Sequence, residues 1–99
     1  MSNETIIQTV RKACEGRCQI VDFRQSATNS LYFAISNGNA IAYFRISDHP
    51  THRKTRSFTV SKNTKRASVE RYVESSIKWL ERRSLCMAFE KINAKALCA

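Results

Sequence analysis

The sequence predicts a single α+β domain spanning residues 1–99, with an antiparallel sheet of three to four strands and N-terminal and C-terminal helices packed on one face. Three observations lead to this fold class. Apolar residues recur at helical spacing near both ends of the chain, they alternate with polar residues in the middle, and Asn37-Gly38 divides the alternating stretch. A chain of 99 residues is long enough for one such core and too short for a second domain.

The N-terminal segment is predicted to be a helix followed by a strand. Apolar side chains at helical spacing over residues 6–14 form one face, and Ser2 or Asn3 is a suitable cap for its start. Gly16 is placed to end the helix, since glycine readily takes the left-handed conformation found there. Residues 18–25 then become rich in β-type side chains, which predicts the first strand.

The central segment is predicted to be a β-hairpin. Alternating runs over residues 31–36 and 39–46 flank Asn37-Gly38, the preferred pair for a two-residue type I′ turn. Such a turn pairs position 36 with position 39 and therefore sets Tyr32 directly opposite Tyr43. The same register places the apolar side chains of both strands on one face.

The C-terminal segment is predicted to be a short strand over residues 57–61 followed by an amphipathic helix. One of three polar residues between positions 63 and 68 caps this helix, and its apolar stripe continues to Leu80. The stripe restarts out of phase at Leu85. This predicts either a kink or a separate third helix, which Ser84 is placed to cap.

The charge is strongly basic and uneven along the chain. Seventeen Lys and Arg against eight Asp and Glu give a net charge of +9. Residues 1–44 hold only four of the bases, so nearly all of the excess lies in residues 45–99. A basic surface on one side of a domain is typical of polyanion binding, whereas a merely solvated face is the alternative. The predicted contacts to nucleic acid or another partner are Arg45, His49, His52, Arg53, Lys54, Arg56, Lys62, Lys65 and Arg66.

The polar face of the hairpin is a second candidate surface. Tyr32, Tyr43 and Arg45 share it, and aromatic and arginine side chains on a sheet can stack nucleic-acid bases. A cross-strand tyrosine pair also stabilises a sheet without any ligand, by roughly 0.2–1 kcal/mol. A homodimer interface formed with Ile41 is a further alternative for this face.

The sequence favours a binding protein over an enzyme or a metalloprotein. Asp48-His49 is the single acid–histidine neighbour pair, too little for a catalytic site. Cys14 and Cys18 with His49 and His52 have zinc-ligand chemistry, but their spacing matches no known zinc motif. We therefore expect reduced cysteines, no metal and no cofactor.

The chain shows no sign of a membrane segment. Its apolar runs are far shorter than the roughly 20 residues that a membrane-spanning helix needs. Its first residues lack the basic and then apolar pattern of a signal peptide. We therefore expect a cytoplasmic protein with no membrane partner.

Two family resemblances concern the same half of the chain. A sheet followed by Ser61-Lys62-Asn63-Thr64-Lys65-Arg66-Ala67 at a helix start resembles the double-stranded-RNA-binding domain. This resemblance implies that the basic cluster grips phosphates across the RNA groove.

The second resemblance begins with Tyr43-Phe44-Arg45-Ile46-Ser47-Asp48-His49, followed by a loop, a short strand and an amphipathic helix. Over residues 43–81 the chain is similar to small accessory proteins of phages and plasmids, including an anti-CRISPR family that inhibits Cas9. This implies a phage-encoded inhibitor that acts in the host cytoplasm on nucleic acid or a nucleoprotein such as a CRISPR effector complex. A double-stranded-RNA or DNA-binding module and a protein–protein adaptor with an acidic partner are the alternatives.

Overall fold

The computed structural model describes residues 1–26, 29–49 and 56–98, with side chains as far as residue 92. Its elements are α1 (Asn3–Cys14), β1 (Gln19–Gln25), β2 (Leu31–Ser36), β3 (Ile41–Ser47), β4 (Ser57–Thr59) and α2 (Arg66–Cys98). The strands form one sheet in the order β1-β2-β3-β4, and residues of both helices join a single core with the sheet. The predicted α+β class is confirmed.

One strand departs from the antiparallel arrangement. β4 runs parallel to β3, with Arg45 opposite Ser57 and Ser47 opposite Thr59. The chain leaves β3 at Ser47 and re-enters the sheet level with Arg45, so the connection has to return only two residue positions, roughly 7 Å. A short connection between β3 and β4 is therefore sufficient for the two strands to pair in parallel.

α1 begins and ends where its local signals predict. The Thr5 N–H donates to Ser2 Oγ at 3.2 Å, which caps the first turn. Gly16 follows the helix with φ +73°, the left-handed conformation that glycine adopts without strain. The next residue, Arg17, donates to the carboxylates of Glu74 at 2.6 Å and Glu81 at 2.5 Å, and so ties the end of α1 to α2.

The register predicted for the β2–β3 hairpin is wrong by two residues. Tyr32 lies opposite Arg45 and Tyr43 opposite Ala34, so residues 37–40 form a four-residue loop. The directly opposed tyrosine pair is therefore absent. A shift of two leaves every side chain on its predicted face, because side chains alternate with a period of two.

Local hydrogen bonds explain the wider loop. Gly38 has φ +93°, but Asn37 does not have the positive φ that a type I′ turn requires. Instead Asn37 Oδ1 accepts from the backbone N–H groups of Asn39 at 3.2 Å and Ala40 at 3.3 Å. The Ser36 hydroxyl donates to the Ala40 carbonyl oxygen at 2.8 Å. These hydrogen bonds stabilise a four-residue loop in place of the predicted two-residue turn.

The core lies between one face of the sheet and the two helices. An aromatic row crosses it, with ring centroids of Phe23 and Phe33 5.2 Å apart and those of Phe33 and Phe44 also 5.2 Å apart. Tyr72 of α2 meets Phe44 edge-on at 5.9 Å. The aliphatic members of the core are Ile6, Val10, Leu31, Ile35, Ile46, Val69, Val73, Ile77 and Leu80.

α2 is one uninterrupted helix of 33 residues, so of the two alternatives expected near Ser84 the separate third helix is not formed. Ser84 lies inside the helix and is 7 % exposed, which rules out a capping role. The second apolar stripe begins at Leu85 and lies on the side of the helix opposite Leu80, given 3.6 residues per turn. For this reason Leu85 and Phe89 are exposed to solvent. None of the helices in the described ranges has the length and hydropathy needed to cross a bilayer.

Candidate nucleic-acid interface on the open sheet face

The face of the sheet that points away from the helices is here called the open face. Strands β1, β2 and β3 each contribute alternate side chains to it, and the observed register arranges these side chains in two rows. The rows are Asp22–Ala34–Tyr43 and Arg24–Tyr32–Arg45.

A hollow of about 320 Å³ lies on this face, with Ala34 among its lining residues. The small Ala34 side chain separates the two lining tyrosines, because Tyr32 is two positions away on the same strand and Tyr43 lies opposite on the next strand. Tyr43 is 64 % exposed, whereas Ala34 is buried. The exposed Tyr43 ring thus forms a side of the hollow and the small Ala34 side chain forms its base. This shape is suited to a planar ring.

Three charged side chains also line the hollow: Asp22 and Arg24 from β1, and Arg56 from the segment before β4. The Arg24 guanidinium carbon lies 5.7 Å from the centroid of the Tyr32 ring, in a cation–π arrangement. Asp22 lines the hollow from the other row, next to Ala34, and both Asp22 and Arg24 are exposed. The rim therefore combines a hydrogen-bond acceptor with a cation that can meet a phosphate or stack on a base.

Arg45 belongs to the same row as Tyr32, but its side chain is buried and forms hydrogen bonds with neighbouring serines. It is 5 % exposed, and its Nη2 donates to Ser30 Oγ at 3.0 Å while Nη1 donates to Ser57 Oγ at 2.9 Å. Ser47 Oγ lies 2.8 Å from Ser30 Oγ and extends the network. No carboxylate among the described residues forms an ion pair with Arg45. The structure thus places this arginine inside the fold rather than on a contact surface.

Two other arginines of the predicted binding set are held on the helix side. Arg56 lies over the Tyr72 ring, 4.9 Å from its centroid, and donates to Ser75 Oγ. Burial raises the pKa of the Tyr72 hydroxyl, an effect that the charge of Arg56 partly opposes. Arg66 pairs with Glu70 at 3.4 Å one turn further along α2. The contacts of Arg56 hold its guanidinium against α2, whereas the Arg66 side chain is 52 % exposed and forms an ion pair on the helix surface.

The remaining members of the predicted set are exposed or lie outside the described residues. Lys62 and Lys65 are exposed just before α2, whose first turn has no acidic residue. His49 is exposed, with its Nε2 3.8 Å from the Asp48 carboxylate. The predicted contacts His52, Arg53 and Lys54 lie outside the described residues. The predicted basic contacts that the structure describes therefore do not form one surface. Arg45 is buried, Arg56 packs on Tyr72, and Lys62 and Lys65 are exposed.

Cys14, at the end of α1, has the properties of a core thiol. Burial, followed by the hydrogen bond and electrostatic effect of Cys18, raises the pKa of the Cys14 thiol to about 12. A thiol that keeps its proton is a poor nucleophile and a poor metal ligand. Across the described residues, no group of three or more His, Cys, Asp or Glu side chains is placed to hold a metal ion.

Sequence reasoning missed the contribution of β1 to this surface. Asp22 and Arg24 flank Phe23 in the sequence, and their alternation already indicated a polar face. Their place beside Tyr32 depends on the pairing of β1 with β2. The polar loop between these strands contains no turn signal that specifies such a register.

Comparison of the chain with protein-family models, with curated proteins and with solved structures found no match. The assignment of this surface therefore depends on the chemistry and geometry of the chain itself.

Proposed function

We propose that this protein binds single-stranded nucleic acid on the open face of its sheet, with one unpaired base in the hollow above Ala34. The observation that carries the proposal is the hollow itself, which is lined by Tyr32, Tyr43 and Arg24. It combines aromatic surface, a cation and a small floor in one place.

Stacking supplies the attraction for the base. Tyrosine rings on a sheet contribute about 1–3 kcal/mol per stacked base, and they accept any base because every base has a π-face. Tyr43 is the more available platform, since its side chain is largely exposed. Arg24 extends the stacking surface next to Tyr32 and brings a positive charge to the backbone of the strand.

The charge of the whole chain supplies the attraction for phosphates. A net charge of +9 raises the local concentration of any polyanion, independently of its sequence. Lys62 and Lys65 are exposed and are candidates for such phosphate contacts. Arg45 is not one of them in this proposal, because its guanidinium is engaged by serine hydroxyls.

The hollow favours single strands over duplexes. In a duplex the flat faces of the bases are covered by their neighbours, whereas an unpaired base can turn out of the strand and stack on an aromatic ring. A cluster that only gripped phosphates would show no such preference.

The resemblance of residues 43–49 to an anti-CRISPR family supports a more specific version of the proposal. In this version the strand is displayed by a nucleoprotein such as a CRISPR effector complex. The test is cleavage of target DNA by Cas9 with the protein added. Inhibition that the Tyr43→Ala variant loses is the expected result, and undiminished cleavage would reject this version alone.

The primary test is fluorescence anisotropy with labelled single-stranded RNA, single-stranded DNA and the corresponding duplexes. We expect single strands to bind more tightly at every salt concentration between about 50 and 200 mM. Tyr43→Ala should weaken single-strand binding roughly tenfold, in line with the loss of one stacked base, while the conservative variant Tyr43→Phe retains it.

A second pair of variants separates stacking from charge. Replacing Lys62 and Lys65 by alanine should flatten the dependence of single-strand affinity on salt, by about 0.7 units of slope per lost phosphate contact. Tyr43→Ala should leave that slope unchanged. Equal binding of wild type and Tyr43→Ala would overturn the stacking site, and absence of nucleic-acid binding would favour the adaptor alternative.

A further inference from the structure

The outer edge of β1 is a free strand edge. β1 pairs only with β2 within the described residues, so its other side presents unpaired backbone N–H and C=O groups. Its segment from Asp22 to Gln25 is in regular register with β2 and is exposed throughout. An edge of this kind is a template for pairing with another strand.

We propose that β1 pairs antiparallel with β1 of a second copy, around a two-fold axis at Phe23. The two four-stranded sheets then join into one sheet of eight strands. The inference does not depend on nucleic-acid binding, because it rests on the sequence and exposure of the edge strand.

Charge complementarity selects the second copy as the occupant. Asp22 and Arg24 flank Phe23 and both point to the open face. In an antiparallel pair centred on Phe23, Asp22 of each copy lies opposite Arg24 of the other, so two attractive cross-strand pairs form at once. The strand is therefore complementary to itself.

Neighbouring registers lack this complementarity. Centring the pair on Asp22 sets two carboxylates opposite each other, and centring it on Arg24 sets two guanidinium groups opposite each other. A shift of a single residue in pairing would turn the apolar side chains of one copy to the polar face of the other. Only the register centred on Phe23 satisfies both charge and alternation.

The aromatic row of the core ends at the same residue. Phe23 contacts Phe33 inside the sheet but is itself 40 % exposed at the edge. In the proposed register, Phe23 of the second copy lies directly opposite and continues the row. The pairing thus covers the exposed ring with a matching aromatic side chain.

A groove along the edge provides further apolar surface. Its volume is about 600 Å³, and it runs between α1 and β1 with Ile7, Cys14 and Ile20 among its lining residues. Phe23 lines the same groove, so pairing of the two β1 strands brings the Phe23 ring of the second copy to the edge of this groove. Burial of this surface adds to the backbone hydrogen bonds of the joined strands.

The test is the oligomeric state of the full chain by sedimentation equilibrium over a range of concentrations. We expect a reversible dimer for the wild type. Asp22→Arg alone and Arg24→Asp alone should each weaken the dimer at least tenfold, because each sets like charges opposite one another. Glu90→Arg is the matched control, since it makes the same charge change at an exposed position of α2 and should leave the dimer intact.

Charge exchange provides the decisive measurement. An equimolar mixture of Asp22→Arg and Arg24→Asp chains should form heterodimers, and the double variant Asp22→Arg/Arg24→Asp should regain the homodimer. Circular dichroism of each variant verifies that it is folded. A monomeric wild type at all concentrations, or a dimer that both single variants retain, would overturn the proposal.

Discussion

Tyr32 lies opposite Arg45 across β2 and β3, whereas Tyr43 lies opposite Ala34. The hollow on the open face is a consequence of this offset. A two-residue turn would set the two tyrosines directly opposite each other, as a pair that stabilises the sheet, and Ala34 would not separate them. The four-residue loop at 37–40 therefore converts two ordinary cross-strand residues into the walls of a candidate binding site.

We expect the Asn37→Ala variant to lower the free energy of unfolding by about 1 kcal/mol, because two backbone N–H groups lose their Oδ1 acceptor. Urea unfolding measures this change. Asn39→Ala is the matched control, since it removes the same atoms from an exposed position in the same loop and should change stability by less than about 0.5 kcal/mol. Equal effects of the two variants would contradict the hydrogen-bonded loop.

Arg45→Lys should lower the free energy of unfolding by about 2 kcal/mol. A lysine ammonium cannot reproduce the forked guanidinium that reaches both Ser30 and Ser57. The exposed Arg11→Lys change is the control and should be close to neutral. We also expect the salt dependence of oligonucleotide binding by the folded Arg45→Lys protein to match wild type, and a flatter slope for this variant would instead indicate a direct phosphate contact.

The two halves of α2 should respond differently to the same substitution. Leu80→Ala removes a side chain that is fully buried and should cost about 2–5 kcal/mol of unfolding free energy. Leu85→Ala, which changes a leucine that is 73 % exposed, should cost less than about 0.5 kcal/mol. Thermal and urea unfolding compare the pair directly, and a large loss at Leu85 would show that the second stripe is covered in solution.

Stability should depend on pH through Cys14. The folded protein raises the pKa of this thiol from 9.0 to about 12, so its contribution is complete below pH 9.0 and is lost as the pH rises towards 12. We therefore expect the stability difference between wild type and Cys14→Ala to shrink above pH 9.0, by at most about 1.4 kcal/mol per pH unit. Unfolding measured at a series of pH values tests this, and a constant difference would contradict it.

Alkylation provides an independent measure of the same thiol. Cys86 is exposed and Cys14 is buried, so iodoacetamide should modify Cys86 much faster in the folded protein. Mass spectrometry of digested samples assigns each site. In denaturant the two cysteines should react at similar rates, and rapid modification of Cys14 under native conditions would show that the end of α1 opens readily.

Local signals were sufficient for most of the fold. The Ser2 cap and Gly16 bounded α1 because capping involves only neighbouring residues. Alternation over β2 and β3 identified which side chains face the helices, and this assignment survived a register error of two. It did not indicate that Ala34 and Arg45 on the open face are buried as well. The same alternation identified Tyr32 and Tyr43 as open-face residues.

The sequence by itself determined the element types, the two faces of the hairpin and the excess of basic charge. Tertiary structure alone decided which strands are neighbours, and hence that Arg24 from β1 meets Tyr32 and that Asp22 lines the same hollow. It also decided that the Arg45 guanidinium donates hydrogen bonds to the hydroxyls of Ser57 in β4 and of Ser30, the residue before β2. The physical reason is that burial and hydrogen-bond partners come from chain segments far apart in sequence, whose approach no local pattern encodes.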